Sequence, residues 1–451
     1  MSAPSSVVVI GGGQAGQQTV ASLRKQGYEG SLTLVCAEAH LPYQRPPLSK
    51  AYLTGELPAR RLTLRTEDWY ANQDIEVVHE AAVGIDREAA AVVLAGGRRL
   101  GYDHLVLATG AENRRLTVPG AELSTVMDLR TKDDADALAA VLTTAEDVVI
   151  VGAGFIGLEV AASARKQGAN VRVLEIADRV MERVLSPEAS AYFARAHAEA
   201  GIEVRLGTGI AAVEGGIGRE DCGEGDCRAT GGSGSGGSAG GTNRDRGGSA
   251  DRDGRVTGVV TSTGEHLPAD LVLSGIGAVP RTQLAEEAGL EVDRGIVVDA
   301  ALRTSDPAIS AIGDVAVFPD GSGRRVRLES VQNASDQARF LAQSLLDGSE
   351  VPGTYAAVPW FWSDQGSHTL QIAGLRDDCE ETVLLPVDGP EEFIAAHFAR
   401  GRLRCVETVN RAGEHMAARR ALATDVVPSA EEARAPGFDL SRWVRESVQR
   451  A

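Results

Sequence analysis

Gly11-Gly-Gly13-Gln-Ala-Gly16 and Gly152-Ala-Gly154-Phe-Ile-Gly157 carry the same glycine spacing twice in one chain. Each follows a short apolar run, Ser6-Val-Val-Val-Ile10 in the first case and Asp147-Val-Val-Ile-Val151 in the second. Each precedes a helix-forming stretch, Gln14 to Gln26 and Ile156 to Gln167, and then a second strand-like run, Ser31 to Cys36 and Asn170 to Leu174. Glycine at these positions permits a tight strand-to-helix turn, and the amides at the helix start can face a pyrophosphate. A carboxylate stands roughly 20 residues past each turn, Glu38 and Glu175, where the fingerprint places an acceptor for an adenosine ribose. The acid at Glu175 favours a free 2′-hydroxyl over a 2′-phosphate, and so NADH over NADPH. Glycines can also mark tight turns alone, but two turns, each with its acid, point to two dinucleotide sites.

Strand and helix alternation of this kind predicts an α/β protein with parallel sheets. At 451 residues there is room for about three domains of ~150 residues. The expected division is a discontinuous first dinucleotide-binding domain over 1–115 and 273–350, a second dinucleotide-binding domain over 116–272, and a C-terminal α+β domain over 351–451. The last begins near Trp360-Phe361-Trp362 and includes strand-like runs at Glu381 to Val387 and Leu403 to Val409. Residues 214–255 hold 15 of the 52 glycines and read as a flexible Gly-rich insertion.

A formal charge of −18 argues against nonspecific binding to nucleic acid or anionic membrane. Five cysteines do not make a disulfide framework, no apolar run reaches the ~18 residues of a span, and the N-terminus lacks the features of a secretory signal. A cytoplasmic protein is expected. Two dinucleotide sites suggest one tightly held flavin and one diffusible nicotinamide, whose rings must meet for hydride to pass. Leu105-Val-Leu-Ala-Thr-Gly110 reads as a strand ending in a small-residue turn, and Ser305 to Asp314 as a strand delivering a carboxylate. Asp314 is then a ligand for a ribityl hydroxyl, or simply a turn or cap aspartate.

Pro42-Tyr-Gln-Arg-Pro-Pro-Leu-Ser-Lys50, Gly154-Phe-Ile-Gly-Leu-Glu159, Ala311-Ile-Gly-Asp314, Glu329-Ser-Val-Gln-Asn333 and Trp360-Phe-Trp-Ser-Asp-Gln365 carry a resemblance over nearly the whole chain outside the Gly-rich segment. The sequence resembles the FAD-dependent NADH:ferredoxin reductases that serve oxygenases, of the putidaredoxin-reductase and ring-dioxygenase type. The resemblance implies two Rossmann-like domains in a glutathione-reductase-like architecture, with FAD at the first fingerprint and NADH at the second. It implies an FAD site formed by Gly11, Gly13, Ala15, Gly16, Glu38, Lys50, Val83, Arg130, Asp314, Val331 and Trp360. For NADH it implies Gly152, Gly154, Phe155, Ile156, Gly157, Glu159, Glu175, Arg183 and Gly277. The family usually has an acid where this chain has Ala37, so only Glu38 remains for the ribose.

Lys50 ends a proline-stiffened run and, as a fixed cation, would stabilise negative charge gathering on the flavin. The family pairs it with Glu159, and these two are the candidate catalytic residues. Their plain alternatives are a solvated lysine and a first-turn glutamate answering the helix dipole. Phe155 is either a ring covering the flavin or a core aromatic. Trp360 and Trp362 are expected to face opposite sides of an extended segment, with packing favoured over electron conduction for either.

Disulfide reductases of this architecture carry Cys-x4-Cys after the first helix, and peroxide or coenzyme A disulfide relatives carry one cysteine near position 43, where Tyr43 stands here. The one Cys-x4-Cys, Cys222 to Cys227, falls in the Gly-rich segment, and Cys36, Cys379 and Cys405 read as packing in strand-like contexts. No iron-sulfur ligand set is present in the chain. Without a thiol relay, electrons should leave one at a time, to a two-iron two-sulfur ferredoxin feeding a haem monooxygenase or ring dioxygenase. Alternatives are a rubredoxin reductase, an NADH oxidase, or an NADH-responsive sensor like apoptosis-inducing factor. An acidic ferredoxin would need a basic face, and Arg400, Arg402, Arg404, Arg411, Arg419 and Arg420, with Arg324, Arg325, Arg327 and Arg65, are candidates. A monomer or weak dimer is expected, with no metal site.

Overall fold

The computed structural model describes residues 3–216, 254–321, 323–347 and 353–448. Its frame is two five-stranded parallel sheets. In the first, Ile309–Ala311, His104–Leu107, Ser6–Ile10, Ser31–Cys36 and Glu76–His79 lie side by side in that order. In the second the order is Ile202–Arg205, Asn170–Leu174, Asp147–Val151, Leu271–Ser274 and Val126–Asp128. The strand leading into each glycine turn is therefore central, with its last four residues buried, which explains why these runs are apolar throughout and do not alternate. The helices after the turns, Gln14–Lys25 and Phe155–Lys166, start within one residue of glycine N-caps that make no side-chain cap bond. Their first amides are left for another acceptor.

The C-terminal region is an antiparallel sheet with the order Trp360–Gln365, His368–Gly374, Arg402–Val409, Phe393–Ala399 and Glu381–Leu384. Helices Ala412–Thr424 and Leu440–Val448 pack with it. This is the α/β fold with two Rossmann-like units and an α+β C-terminal part that the sequence predicts. Tyr43, Leu48, Leu53 and Leu62, early in the chain, are buried in the core of the second parallel unit, together with Leu370, Ile372, Cys405 and Val409 of the C-terminal sheet. The run from Tyr43 to Leu62 thus leaves the first sheet and joins the other two regions. A further seam is polar: Glu407, fully buried, accepts from the Ser186 amide at 2.9 Å and from the Ser186 hydroxyl at 2.5 Å, and it meets His397 at 3.1 Å.

The ends of the glycine-rich segment, Glu214–Gly216 and Arg255, belong to an antiparallel hairpin, Ile210–Gly216 with Arg255–Thr261. The rest of that insertion, including Cys222 and Cys227, lies outside the described residues. No helix among the described residues is long and apolar enough to cross a membrane.

Candidate active site

Both glycine turns open into one cleft of about 810 Å³. At Gly11 the backbone has φ +121°, and a Cβ there would lie 2.1 Å from the Ala108 carbonyl oxygen. At Gly152, φ is +104° and a Cβ would meet the Gly275 oxygen at 2.5 Å. Both turns are accessible to glycine alone, since neither the dihedral nor the space admits a side chain. Gly16 and Gly157 do not line the cleft. Their lack of a Cβ lets each helix pack on the carbonyl of its turn's first glycine: a Cβ would lie 1.9 Å from Gly11 O at Gly16 and 2.3 Å from Gly152 O at Gly157.

The cleft brings together Gly11, Gly13, Ala15, Glu38, Lys50, Arg130, Asp314 and Val331 from the first set, and Gly154, Phe155, Ile156, Glu159, Arg183 and Gly277 from the second. Four of the remaining residues do not line the cleft. Val83 is 51% exposed, and the wall beside it is made by Ala81 and Ala82. Trp362 lines the cleft and Trp360 does not. Gly152 forms the turn without lining the cleft, and the Glu175 carboxylate accepts from the Ala153 amide at 2.6 Å and the Ala177 amide at 2.9 Å.

The tryptophans correct an expectation. Trp360 and Trp362 share a face of the strand Trp360–Gln365, their ring centroids 5.6 Å apart, because side chains two apart in a strand point the same way. Arg419 stacks over Trp360 at 4.2 Å, and the buried His415 ring packs against it at 5.6 Å.

The acid at the end of each second strand is held differently. Glu38 accepts from Arg45 at 2.6 Å and from the Tyr43 hydroxyl at 2.5 Å. Burial by itself would raise its pKa, but Arg45 and the hydroxyl outweigh that and bring it below the usual carboxylate range. Tyr43 and Arg45 were not singled out from sequence as partners of Glu38, although both lie in the quoted Pro42–Lys50 motif. Arg45 also donates to the Arg130 carbonyl at 2.6 Å, and the Arg130 guanidinium donates to Asp314 at 3.2 Å. Burial raises the Asp314 carboxyl, and Arg130 opposes the rise.

Where the two nucleotide units meet, Lys50 Nζ lies 2.6 Å from Glu159 Oε2, with Glu159 only 4% exposed. Lys50 follows the 3₁₀ turn Pro46–Ser49, which fixes the approach of the ammonium, and Nζ also donates to the Pro46 carbonyl at 3.2 Å. Glu159 receives two hydroxyls besides: Ser49 on Oε2 and Ser363 on Oε1, both at 2.5 Å. Neither serine was singled out as a partner, and nothing in local spacing marks them. Phe155 packs on Phe361 with centroids 4.6 Å apart.

No cysteine among the described residues lines this cleft. The described cysteines are free; Cys36 and Cys405 are buried in strands, and burial pushes the Cys36 thiol up to about 12. Cys379 departs from the strand context expected, being half-buried in the loop before Glu381–Leu384. No group of metal-ligating side chains occurs among the described residues.

Two dinucleotide turns that open into one cleft with an ion pair at their junction define an oxidoreductase that joins two nucleotides. The cleft fits an extended flavin dinucleotide: Gly13 faces open space, and the carboxylates of Glu38 and Asp314 and the ammonium of Lys50 all line it. The pyridine nucleotide-disulphide oxidoreductase family matches residues 5–225 and 244–338, and the reductase C-terminal family matches 360–444. The chain belongs to the pyridine nucleotide-disulphide oxidoreductases, and its cofactors are FAD and NAD(H). It is 44% identical over 437 residues to rhodocoxin reductase of Rhodococcus erythropolis, covering 96% of this chain and 93% of that one. Among solved structures, the ferredoxin reductase for the CYP199A2 system of Rhodopseudomonas palustris is 41% identical, with a TM-score of 0.85, over 97% of this chain and 99% of that one. The covalent putidaredoxin reductase–putidaredoxin complex contains a chain 36% identical to this one, also with a TM-score of 0.85, over 98% of each.

Proposed function

We propose that this chain takes a hydride equivalent from NADH and delivers two electrons, one at a time, to a two-iron two-sulfur ferredoxin that supplies an oxygenase. The observation that carries this reading is the Lys50–Glu159 pair at the junction of two dinucleotide turns, in a cleft lined by no cysteine among the described residues. Bound FAD supplies the exchange between a two-electron donor and a one-electron acceptor. Gly11, Gly13 and Ala15 receive its pyrophosphate, Glu38 its ribose, and Asp314, with Arg130 behind it, its ribityl chain. Val331 and Trp362 border its far end. Gly154, Phe155, Ile156 and Gly277 admit the nicotinamide nucleotide, with Arg183 over Gly277 and Glu175 bonded to the Ala153 amide. Lys50 holds a positive charge where negative charge accumulates, and Glu159 fixes that charge in place.

The partner docks transiently at a basic face. Of the arginines considered, Arg324 is paired with Asp320, Asp377 and Asp378, Arg325 with Glu291, Arg327 with Glu329, Arg402 with Asp425, and Arg411 with Asp388, Glu392 and Glu414. Arg65 lies over Trp69. Arg419 stands on Trp360, whose neighbour Trp362 reaches the cleft, so the docking face centres on the helix Ala412–Thr424 with Arg400, Arg404 and Arg420.

Anaerobic mixing with NADH tests the first half: prompt bleaching of the flavin is expected. Cytochrome c reduction through a two-iron two-sulfur ferredoxin tests the second. In Arg400→Glu/Arg420→Glu, the salt dependence of that rate should flatten while bleaching by NADH is unchanged. An unaltered salt slope refutes the docking face. Efficient turnover with rubredoxin or dioxygen and none with ferredoxin replaces the acceptor. A persistent flavin–nicotinamide charge-transfer band with feeble ferredoxin turnover instead selects a sensor.

A further inference from the structure

The strand Trp360–Gln365 turns Phe361, Ser363 and Gln365 to one side, and all three meet the opening of the helix Phe155–Lys166. Phe361 packs on the Phe155 ring, Ser363 bonds Glu159, and Gln365 donates to the Phe155 carbonyl at 3.2 Å. The same Gln365 amide donates to the Ser363 oxygen at 2.8 Å. A serine hydroxyl has one hydrogen, and with Gln365 donating to its oxygen that hydrogen is directed at Glu159 Oε1, 2.5 Å away. On the other oxygen of the carboxylate sit Ser49 and Lys50. Glu159 is thus gripped by donors from either side, one of them supplied by the C-terminal sheet. Ser363 is 1% exposed and Gln365 2% exposed, so water cannot stand in for either.

From this geometry we infer that Ser363, oriented by Gln365, is a positioning residue for the Lys50–Glu159 pair and so sets how far the lysine's charge is offset beside the flavin. The inference rests on the proposed FAD–NADH reading of the cleft. A buried carboxylate that loses the hydrogen bond on one of its oxygens is no longer held in the position that faces Lys50, and its compensation of the ammonium falls. With less compensation, the ammonium favours the reduced, more negative flavin.

The test is the midpoint potential of the bound flavin, with NADH kinetics, in Ser363→Ala and Ser363→Thr. Ser363→Ala should raise the two-electron potential by the equivalent of a tenfold change in the reduction equilibrium, about 30 mV. The flavin-bleaching rate at saturating NADH should change about tenfold, with KM for NADH altered less than twofold. Ser363→Thr, which keeps the hydroxyl, should stay near wild type in both. If Ser363→Ala does not retain flavin, Gln365→Met is measured instead; it keeps the hydroxyl but removes the donor that orients it, and about a threefold shift of the same sign is expected. An unchanged or lowered potential, or a change that threonine does not restore, overturns the inference. If NADH fails to bleach wild-type protein carrying flavin, the parent reading fails instead, while the potential of Ser363→Ala still reports on the brace.

Discussion

The two nucleotide units share a strand, a glycine turn, a helix and an acid, yet they treat the acid in opposite ways. Glu38 is held by Arg45 and Tyr43, residues of the excursion that crosses to the second unit. Glu175 is held by its own unit, through the amides of Ala153 and Ala177. Beyond Glu175 the surface is open: Ile176 is 79% exposed and Leu206 39%. On the proposed assignment, a site whose acid is fastened by another part of the chain suits a resident cofactor. A self-contained and open site suits a nucleotide that must come and go.

The largest effect that could break this contrast comes from the glycines. Gly11→Ala forces a Cβ against a backbone oxygen in a left-handed turn, a cost of about 3 kcal/mol or more, and purified protein should lack flavin absorbance and melt earlier. Gly152→Ala meets the same obstacle, but should keep flavin while losing bleaching by NADH. Loss of flavin from both would show that the units do not act separately.

Acid should reveal whether the regions come apart together. His104 lies in the first sheet, His197 in the second unit and His415 in the C-terminal helix Ala412–Thr424, and burial lowers each to about 4. Their unfolded value is near 6.5, so between those limits the unfolded chain binds the extra protons. Stability is full above about pH 6.5 and falls with pH down to about 4, by up to about 1.4 kcal/mol per unit for each histidine. Urea unfolding across this window should show the slope, and His197→Gln should reduce it by about one proton. An unchanged slope would remove His197 from the account.

A smaller effect is expected at the acids themselves. Glu175→Ala should reduce discrimination against NADPH about tenfold, some 1.4 kcal/mol, by removing the like charge a 2′-phosphate would meet. Glu38→Ala should leave that ratio alone and speed flavin loss. A change in coenzyme preference in the Glu38 variant would contradict the assignment of the two sites.

Much of the fold was legible because its signals are local. The runs Ser6–Ile10, Ser31–Cys36 and Asn170–Leu174 match their strands residue for residue, since short runs rich in aliphatic and β-branched residues favour strands. The site was legible only at its turns and in its quoted motifs. The basic segments looked free when counted along the chain, yet several arginines are spent on acids distant in sequence, such as Arg324 on Asp377 and Arg325 on Glu291.

By itself the sequence determined that this chain has two dinucleotide turns, an acid behind each, and no thiol relay near them. Glycine's access to left-handed backbone and the chemistry of residue types settle those points without reference to distant residues. Only the tertiary structure decided that Ser49 and Ser363 meet on Glu159, separated from it by 110 and 204 residues, and that Trp362 rather than Trp360 reaches the cleft. Hydrogen bonds between distant segments depend on how three packed regions converge, and no local spacing encodes that convergence.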